Sequence, residues 1–306
     1  LYDYLNGLID NLALDHRRGA AEIVRDIIEL FASIAELGQE DDDGADHLLK
    51  RGVKRLARGQ PTMAPVLNLL NRTATAFEAS NGDWEAFGQS ISHLAARRSR
   101  LTEKMLERLG ELPPAQGKLI AYSNSSTVTQ MIEECSKLGW PQMVYCGEGR
   151  PVNEGLFLAR KLTGAGIPIT LFTDAALMSR VTEADAVWVG GDSISSQGLV
   201  NKVGSLALAM LCRAVGIPFI SLVSSDKFLS PGMRPYLRCL PQNPREIAED
   251  EADTLNVVNE YYEEVPLDLV SGIFCDLGFC PPERLVGEIE AEPVSPLFAS
   301  LAGASS

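Results

Sequence analysis

A change of period near residue 112 constrains this chain more than any other feature. Up to that point the apolar residues recur at helical spacing, as in AAEIVRDIIELFASIAEL and APVLNLLNRTATAF, and no segment alternates like a strand. Beyond it, the short apolar runs LIAYS, QMVYC, PITLFT, AVWVG and PFISLV are separated by helical patterns such as TVTQMIEECSKL and GLFLARKLTGAG. Strands and helices in alternation build βαβ units, and repeated βαβ units build a parallel sheet wound on both faces. The linker is ELPPAQGK, residues 111–118, whose two prolines stop the preceding helix. The expected fold is α/β: a helical domain over residues 1–112, then a doubly wound parallel-sheet domain over residues 113–306.

At 306 residues and 45% apolar composition the chain can bury two cores. Its formal net charge of −14 disfavours direct contact with nucleic acid or an anionic membrane surface, so an anionic ligand has to be held by a local cluster of cations. No apolar run approaches the ~20 residues that span a bilayer. The opening LYDYLNGLIDNLALD is too acidic for a signal peptide, and a cytoplasmic location is expected. Cys135, Cys146, Cys212, Cys239, Cys275 and Cys280 include no C-x-x-C pair and several lie in apolar runs, which fits reduced thiols. His16, His47 and His93 give little support for a zinc site, and neither a metal nor a cofactor is expected. EDDDGADH, residues 40–47, reads as a solvated connection that lends charge to a helix N-terminus, and ARRSR, residues 96–100, as the exposed face of a helix.

The segments that follow the strands carry the chemistry. They are SNSS (123–126), GEGRP (147–151), Thr173-Asp174, GGD (190–192) and SSDK (224–227). In a parallel sheet these ends share one edge, where open α/β folds bind ligands. Gly190-Gly191 permits close backbone approach, but there is neither a G-x-G-x-x-G nor a P-loop pattern to support a dinucleotide or nucleoside triphosphate. VWVGGDSISSQGLVNKVGSLALAML, residues 187–211, begins as a buried strand and ends as an apolar helix, yet carries Asp192, Asn201 and Lys202 in its middle. For an anionic ligand the available groups are Arg18, Arg150, Lys202 and Lys227, with backbone amides at Gly19 and Ala20. Each has a plainer reading. Arg18 can be an exposed arginine at a helix start, Lys202 a solvated turn lysine, Asp192 a loop cap or the partner of Lys202, and Glu148 the partner of Arg150 instead of an acceptor from the ligand.

The ordered set RRGAAEI (17–23), QPTMAPVLNL (60–69), SNSSTV (123–128), GEGRPVNEG (147–155), TDAAL (173–177), GGDSISSQGLVNKVGSLALA (190–209), SSDKF (224–228) and CPPERL (280–285) resembles one family over nearly the whole chain. That family holds the alpha, beta and delta subunits of translation initiation factor 2B, 5-methylthioribose-1-phosphate isomerase and ribose-1,5-bisphosphate isomerase. The resemblance implies a Rossmann-like C-terminal domain, dimerisation through it, and a phosphorylated sugar or nucleoside monophosphate as ligand. It matches Asp192 to the family's acid/base aspartate, Asn201 and Lys202 to its substrate-binding pair, and Arg18, Gly19 and Ala20 to its phosphate-binding Arg-Gly-Ala. Gln60, Ser125, Glu148, Arg150 and Lys227 complete the candidate ligand set. The apolar stretch GIFCDLGFCPPERLVGEI, residues 272–289, suggests the two-fold interface of a homodimer.

Two departures bear on activity. The isomerases of this family place a catalytic cysteine where this chain has Ser123, and Arg-Pro-Thr where it has Gln60-Pro61-Thr62. Aldose–ketose isomerisation moves a proton between adjacent carbons and needs two groups of suitable pKa; a serine hydroxyl does not replace a thiol without a neighbouring base. AYSNSSTV is instead similar to the corresponding loop of the initiation-factor subunits. Cys146, at the next strand end, is either a substitute thiol or a buried structural cysteine. The sequence thus favours a sugar-phosphate- or nucleotide-binding regulatory protein of the translation-initiation type, its protein partner unknown. The alternative is an aldose–ketose isomerase of a phosphorylated ribose, in which Asp192 works with an unidentified second group.

Overall fold

Helices α1 (Tyr2–Leu14), α2 (Ala20–Gly38), α3 (Asp42–Gly59), α4 (Ala64–Ser80) and α5 (Trp84–Glu107) follow the helical period of the first hundred residues. In the computed structural model, which describes residues 1–15, 18–248, 255–289 and 292–303, each of the first four buries an apolar stripe. Along α2 the stripe is Ile23, Ile27, Phe31 and Ile34, spaced by three or four residues and wholly buried. Each such side chain contributes roughly 1.5–3 kcal/mol of transfer free energy. The acids of residues 40–47 turn out to start a helix: Asp41 caps α3 by accepting from the Gly44 N–H at 3.0 Å, and Asp42 accepts from the Trp84 indole at 2.7 Å. Arg98 departs from the exposed face expected of ARRSR, because its guanidinium is bonded to the carboxylate of Asp226.

The second half continues as β1 (Lys118–Tyr122), α6 (Ser126–Lys137), β2 (Met143–Gly147), α7 (Gly155–Gly164), β3 (Ile169–Phe172), α8 (Asp174–Met178), β4 (Ala186–Val189), β5 (Ser193–Ile194), β6 (Leu199–Lys202), α9 (Ser205–Val215), β7 (Phe219–Leu222), β8 (Tyr262–Val265), β9 (Gly272–Cys275) and β10 (Gly278–Cys280), then α10 (Pro282–Ile289) and α11 (Pro296–Ala302). Seven strands form one sheet in the order β3-β2-β1-β4-β7-β9-β10, parallel except for β10. The five apolar runs read from the sequence are β1, β2, β3, β4 and β7. AVWV and FISL are buried at every position, as central parallel strands covered on both faces must be. Leu119, Ala121, Val144, Trp188, Ile220, Leu222 and Phe274 pack from the sheet against Val128, Met131, Ile132, Leu158 and Leu162 from α6 and α7. From β1 the chain steps outward to β2 and β3, then returns to the other side of β1 as β4. The strand order therefore reverses between β1 and β4, where doubly wound folds open a crevice at the carboxyl ends of the strands.

Two features were not expected. A separate antiparallel sheet, β5-β6-β8, places Asn201 opposite Glu263 and Lys202 opposite Tyr262. The stretch 272–289 supplies β9 and β10, and Gly272–Cys275 are all buried in the chain's own sheet, with Leu277 left exposed. Its apolar character is therefore largely used within the chain itself.

The chain divides into two compact units. One comprises Leu1–Leu101, Asp226–Arg238 and Ile289–Ser306; the other comprises Thr102–Ser225 and Cys239–Glu288. Within the first, Asn68 donates to the carbonyls of Asp226 and Phe228 at 2.8 and 2.7 Å, and Arg72 grips Glu292 through two bonds. Among the described residues no helix is long and apolar enough to cross a membrane.

Candidate functional site

The switch point is built from the residues that follow β1 and β4. Ser125 caps α6, its Oγ accepting from the Val128 N–H at 3.3 Å, and a Cβ on Gly190 would lie 2.7 Å from the Ser125 side chain. Glycine after β4 is thus what lets the two loops touch. Ser123 sits directly after β1 with φ of 73°, in the left-handed region that a non-glycine residue occupies at a cost on the order of 1 kcal/mol or more. Its hydroxyl donates to the carboxylate of Glu154.

Glu154 immediately precedes α7, where the helix dipole favours an anion. Its neighbour Gly155 fixes that placement: the Gly155 N–H donates to the Glu148 carbonyl at 3.0 Å, and a Cβ there would come within 1.8 Å of the Gly147 carbonyl oxygen. The second oxygen of Glu154 accepts from Lys202 Nζ at 3.3 Å. Lys202 is no solvated turn lysine; its side chain is 3% exposed, and Nζ lies 4.8 Å from the centre of the Tyr261 ring. It is the only buried cation among the described residues. An ammonium in such a place costs several kcal/mol unless paired, and the carboxylate that meets it is Glu154.

Asn201 is buried and donates from Nδ2 to Ser205 Oγ at 2.9 Å, while Ser205 donates to the Lys202 carbonyl at 2.6 Å. Glu263 accepts from the N–H groups of Gly204 and Leu206 at 2.6 and 2.8 Å, so the N-terminus of α9 is held by a protein carboxylate. Tyr122 donates to the Val203 carbonyl at 2.8 Å. Asp192 is half-buried and leads into β5 through its N–H bond to the Val200 carbonyl at 2.8 Å. The Tyr262 phenol is pushed up in pKa by burial and, beyond that, by the charges of Asp192 and Glu154. It is a neutral donor within the field of both carboxylates. Beside Asp192 in sequence, the buried Ser193 hydroxyl has no hydrogen-bond partner among the described residues.

The loop after β2 is arranged by Asp174, which accepts from the backbone N–H groups of Gly149 and Arg150 at 2.9 and 2.8 Å. Arg150 is exposed and Glu148 half-buried, and no ion pair joins them among the described residues. Cys146 is wholly buried and desolvation pushes its thiol up to about 12, which makes it a structural cysteine and no substitute acid or base. Cys135, Cys212 and Cys275 are also buried, with thiols raised to about 12.

The remaining candidates belong to the helical unit. Arg18 is bound by Asp15 at 2.5 Å and Asp26 at 2.6 Å, which raise its pKa further, and Gly19 and Ala20 begin α2. Both amide hydrogens of Gln60 are used by the fold, on the carbonyls of Leu12 and Asp15 at 2.8 and 2.7 Å. Lys227 is half-buried. His16 and Arg17 lie outside the described residues. The structure thus brings Ser123, Ser125, Asp192, Asn201 and Lys202 onto the switch point and the small sheet beside it. It adds Glu154, Tyr261, Tyr262 and Glu263, which sequence reasoning missed. The available signals were the acid inside GEGRPVNEG and the adjacent aromatics of YYEEV, residues 261–265.

A parallel sheet of this order, with polar groups gathered at its switch point, defines a doubly wound α/β protein. More narrowly, the chain belongs to the Initiation factor 2 subunit family, whose model matches residues 16–282. It is similar to the ribose 1,5-bisphosphate isomerase of Archaeoglobus fulgidus, 27% identical over 274 residues, 87% of this chain and 86% of that one. It is also similar to the methylthioribose-1-phosphate isomerase of Cronobacter sakazakii, 27% identical over 306 residues, 92% of this chain and 88% of that one. Among solved structures, translation initiation factor eIF-2B of Pyrococcus horikoshii OT3 superposes with a TM-score of 0.78 at 23% identity, over 94% of this chain and 100% of that chain.

Proposed function

We propose that this protein is an aldose–ketose isomerase of a phosphorylated ribose, of the methylthioribose 1-phosphate or ribose 1,5-bisphosphate type. This reverses the preference drawn from the sequence, where Ser123 in place of a cysteine favoured a regulatory protein. The observation that carries the change is the carboxylate of Glu154 on the Ser123 hydroxyl, a base beside the position where the thiol is missing. The isomerase names of the relatives support the same reading. In it Asp192 is one acid/base group and Asn201 and Lys202 hold the substrate, with Ser125, Glu148 and Arg150 from the strand ends as further ligand groups. We further propose a cytoplasmic homodimer, which light scattering would reveal as twice the 33.1 kDa chain mass.

The test is direct. Each of the two ribose phosphates is incubated with the protein and the ketose is followed by NMR; turnover is expected for one of them, and Asp192→Asn should abolish it. Calorimetric binding of these compounds with no ketose formed would instead establish the regulatory reading, which the Ser123 substitution and the committed amide hydrogens of Gln60 favour. Neither binding nor turnover would remove both.

A further inference from the structure

Isomerisation needs two proton-transfer groups, and Asp192 accounts for one. Resting on the isomerase reading, we infer that Glu154 is the other: it exchanges the proton with the substrate carbons in place of the thiol that position 123 lacks. Three observations lead there. The Glu154 carboxylate lies one hydrogen bond from the Ser123 side chain, and so within reach of an atom that a longer-reaching thiol at 123 would serve. Its bonds to Ser123 and Lys202 use one acceptor site on each oxygen, and its side chain remains 23% exposed, so it is open to a ligand. A residue that only neutralised Lys202 would need no hydroxyl, yet Ser123 is held in a left-handed conformation with its hydroxyl on this carboxylate.

The step balances for a furanose 1-phosphate. The Glu154 carboxylate takes the proton from C2, the C–H electron pair forms the C1=C2 double bond, the bond from C1 to the ring oxygen breaks, and that oxygen takes a proton from the Asp192 carboxyl. Glu154 then returns its proton to C1 while Asp192, now a carboxylate, takes the proton from the hydroxyl on C2, leaving a ketone there. Both side chains end as they began, and no oxidant or reductant is used.

Glu154→Gln keeps the length of the side chain and an acceptor for Ser123 but cannot carry the proton. With ribose 1,5-bisphosphate and 5-methylthioribose 1-phosphate as probes, and fold retention checked by circular dichroism, kcat should fall ~10²–10⁴-fold with KM changed far less. Glu154→Asp, which keeps a carboxyl group, should recover at least about tenfold over the glutamine variant, the low end of what a positioned acid/base contributes, and it carries the comparison with wild type if the glutamine variant does not fold. In D2O the wild-type ketose should carry deuterium at C1, as a carboxyl that exchanges with solvent requires. Turnover by Glu154→Gln within tenfold of wild type, or an aspartate variant as inactive as the glutamine one, overturns the inference and leaves the isomerase reading standing. A wild-type protein inert toward both probes overturns the two together.

Discussion

Replacing Lys202 by methionine keeps the apolar stem and removes a charge that only 3% of the side-chain surface exposes to water. Breaking a buried pair by removing one partner typically costs ~3–5 kcal/mol, because the other charge is left uncompensated. Here the stranded carboxylate keeps some hydration, since Glu154 is 23% exposed, and it retains the Ser123 hydroxyl and the start of α7. The loss should therefore fall below that range, at about 2–3 kcal/mol, including ~0.5–1 kcal/mol for the lost contact with the Tyr261 ring. Adding Glu154→Gln removes the stranded charge and should return about 1–2 kcal/mol, the sign expected for directly coupled sites. Because the chain has two compact units, one unfolding midpoint would mix them. Hydrogen exchange of peptides covering β6 and α7 at increasing urea reads the sheet unit by itself. A Lys202→Met protein as stable as wild type there, or a double variant whose losses simply add, would refute the claim that this pair is what makes the buried lysine tolerable.

Gly155→Ala should cost about 3 kcal/mol or more in the sheet unit, read by hydrogen exchange of peptides covering β2 and α7, since its Cβ meets the Gly147 carbonyl at 1.8 Å and backbone cannot yield as a side chain can; unchanged exchange there would contradict it. Arg98→Met should destabilise the helical unit by roughly 2–4 kcal/mol, because it strips the guanidinium from an Asp226 side chain that is 9% exposed; unchanged hydrogen exchange in α5 would argue otherwise. At pH 8 iodoacetamide should modify the exposed Cys239 and spare Cys146, whose thiol sits at about 12, with labelled peptides counted by mass spectrometry; equal labelling rates in the folded protein would show the β2 thiol to be accessible.

Five of the seven strands of the large sheet were legible as short apolar runs, whereas β9, buried at every position, was read as part of an interface. AVWV and FISL, like the runs that became β1 and β2, carry their signal in four or five consecutive residues, and the changes of period between them place the helices. β6 and β8 gave no such signal. LVNK and YEEV are short, mix apolar with charged residues, and pair only with each other and with the two-residue β5. The acids of residues 40–47 show the same limit at a boundary, since a cap and a solvated connection use the same residue types, and only the bond from Asp41 to Gly44 tells them apart.

Within the site, residue types were legible and their relations were not. Asp192, Asn201 and Lys202 stood out because they interrupt an apolar stretch, but the partner that gives Lys202 its meaning lies 48 residues earlier, and Ser123 is 31 residues from the carboxylate it bonds. Nothing local in GLVNK announces that its lysine is buried, nor in YSNS that its first serine is left-handed. Both break a rule that an ordinary loop would keep, one by burying a charge and the other by straining a backbone, and both converge on the same carboxylate. A fold accepts two such costs at one place only where the surrounding contacts hold them. Here those contacts are Gly155 against β2, Tyr261 over the ammonium, and Glu263 on the start of α9. Because Glu263 already occupies this helix N-terminus, the start of α9 is not offered to an anion, and on the isomerase reading Lys202 and the exposed Arg150 are the proposed partners of the substrate phosphate. On the isomerase reading, a ligand drawn to Lys202 meets the oxygen of Glu154 beside it, so that the proposed binding residue and the proposed proton-transfer residue would share one substrate.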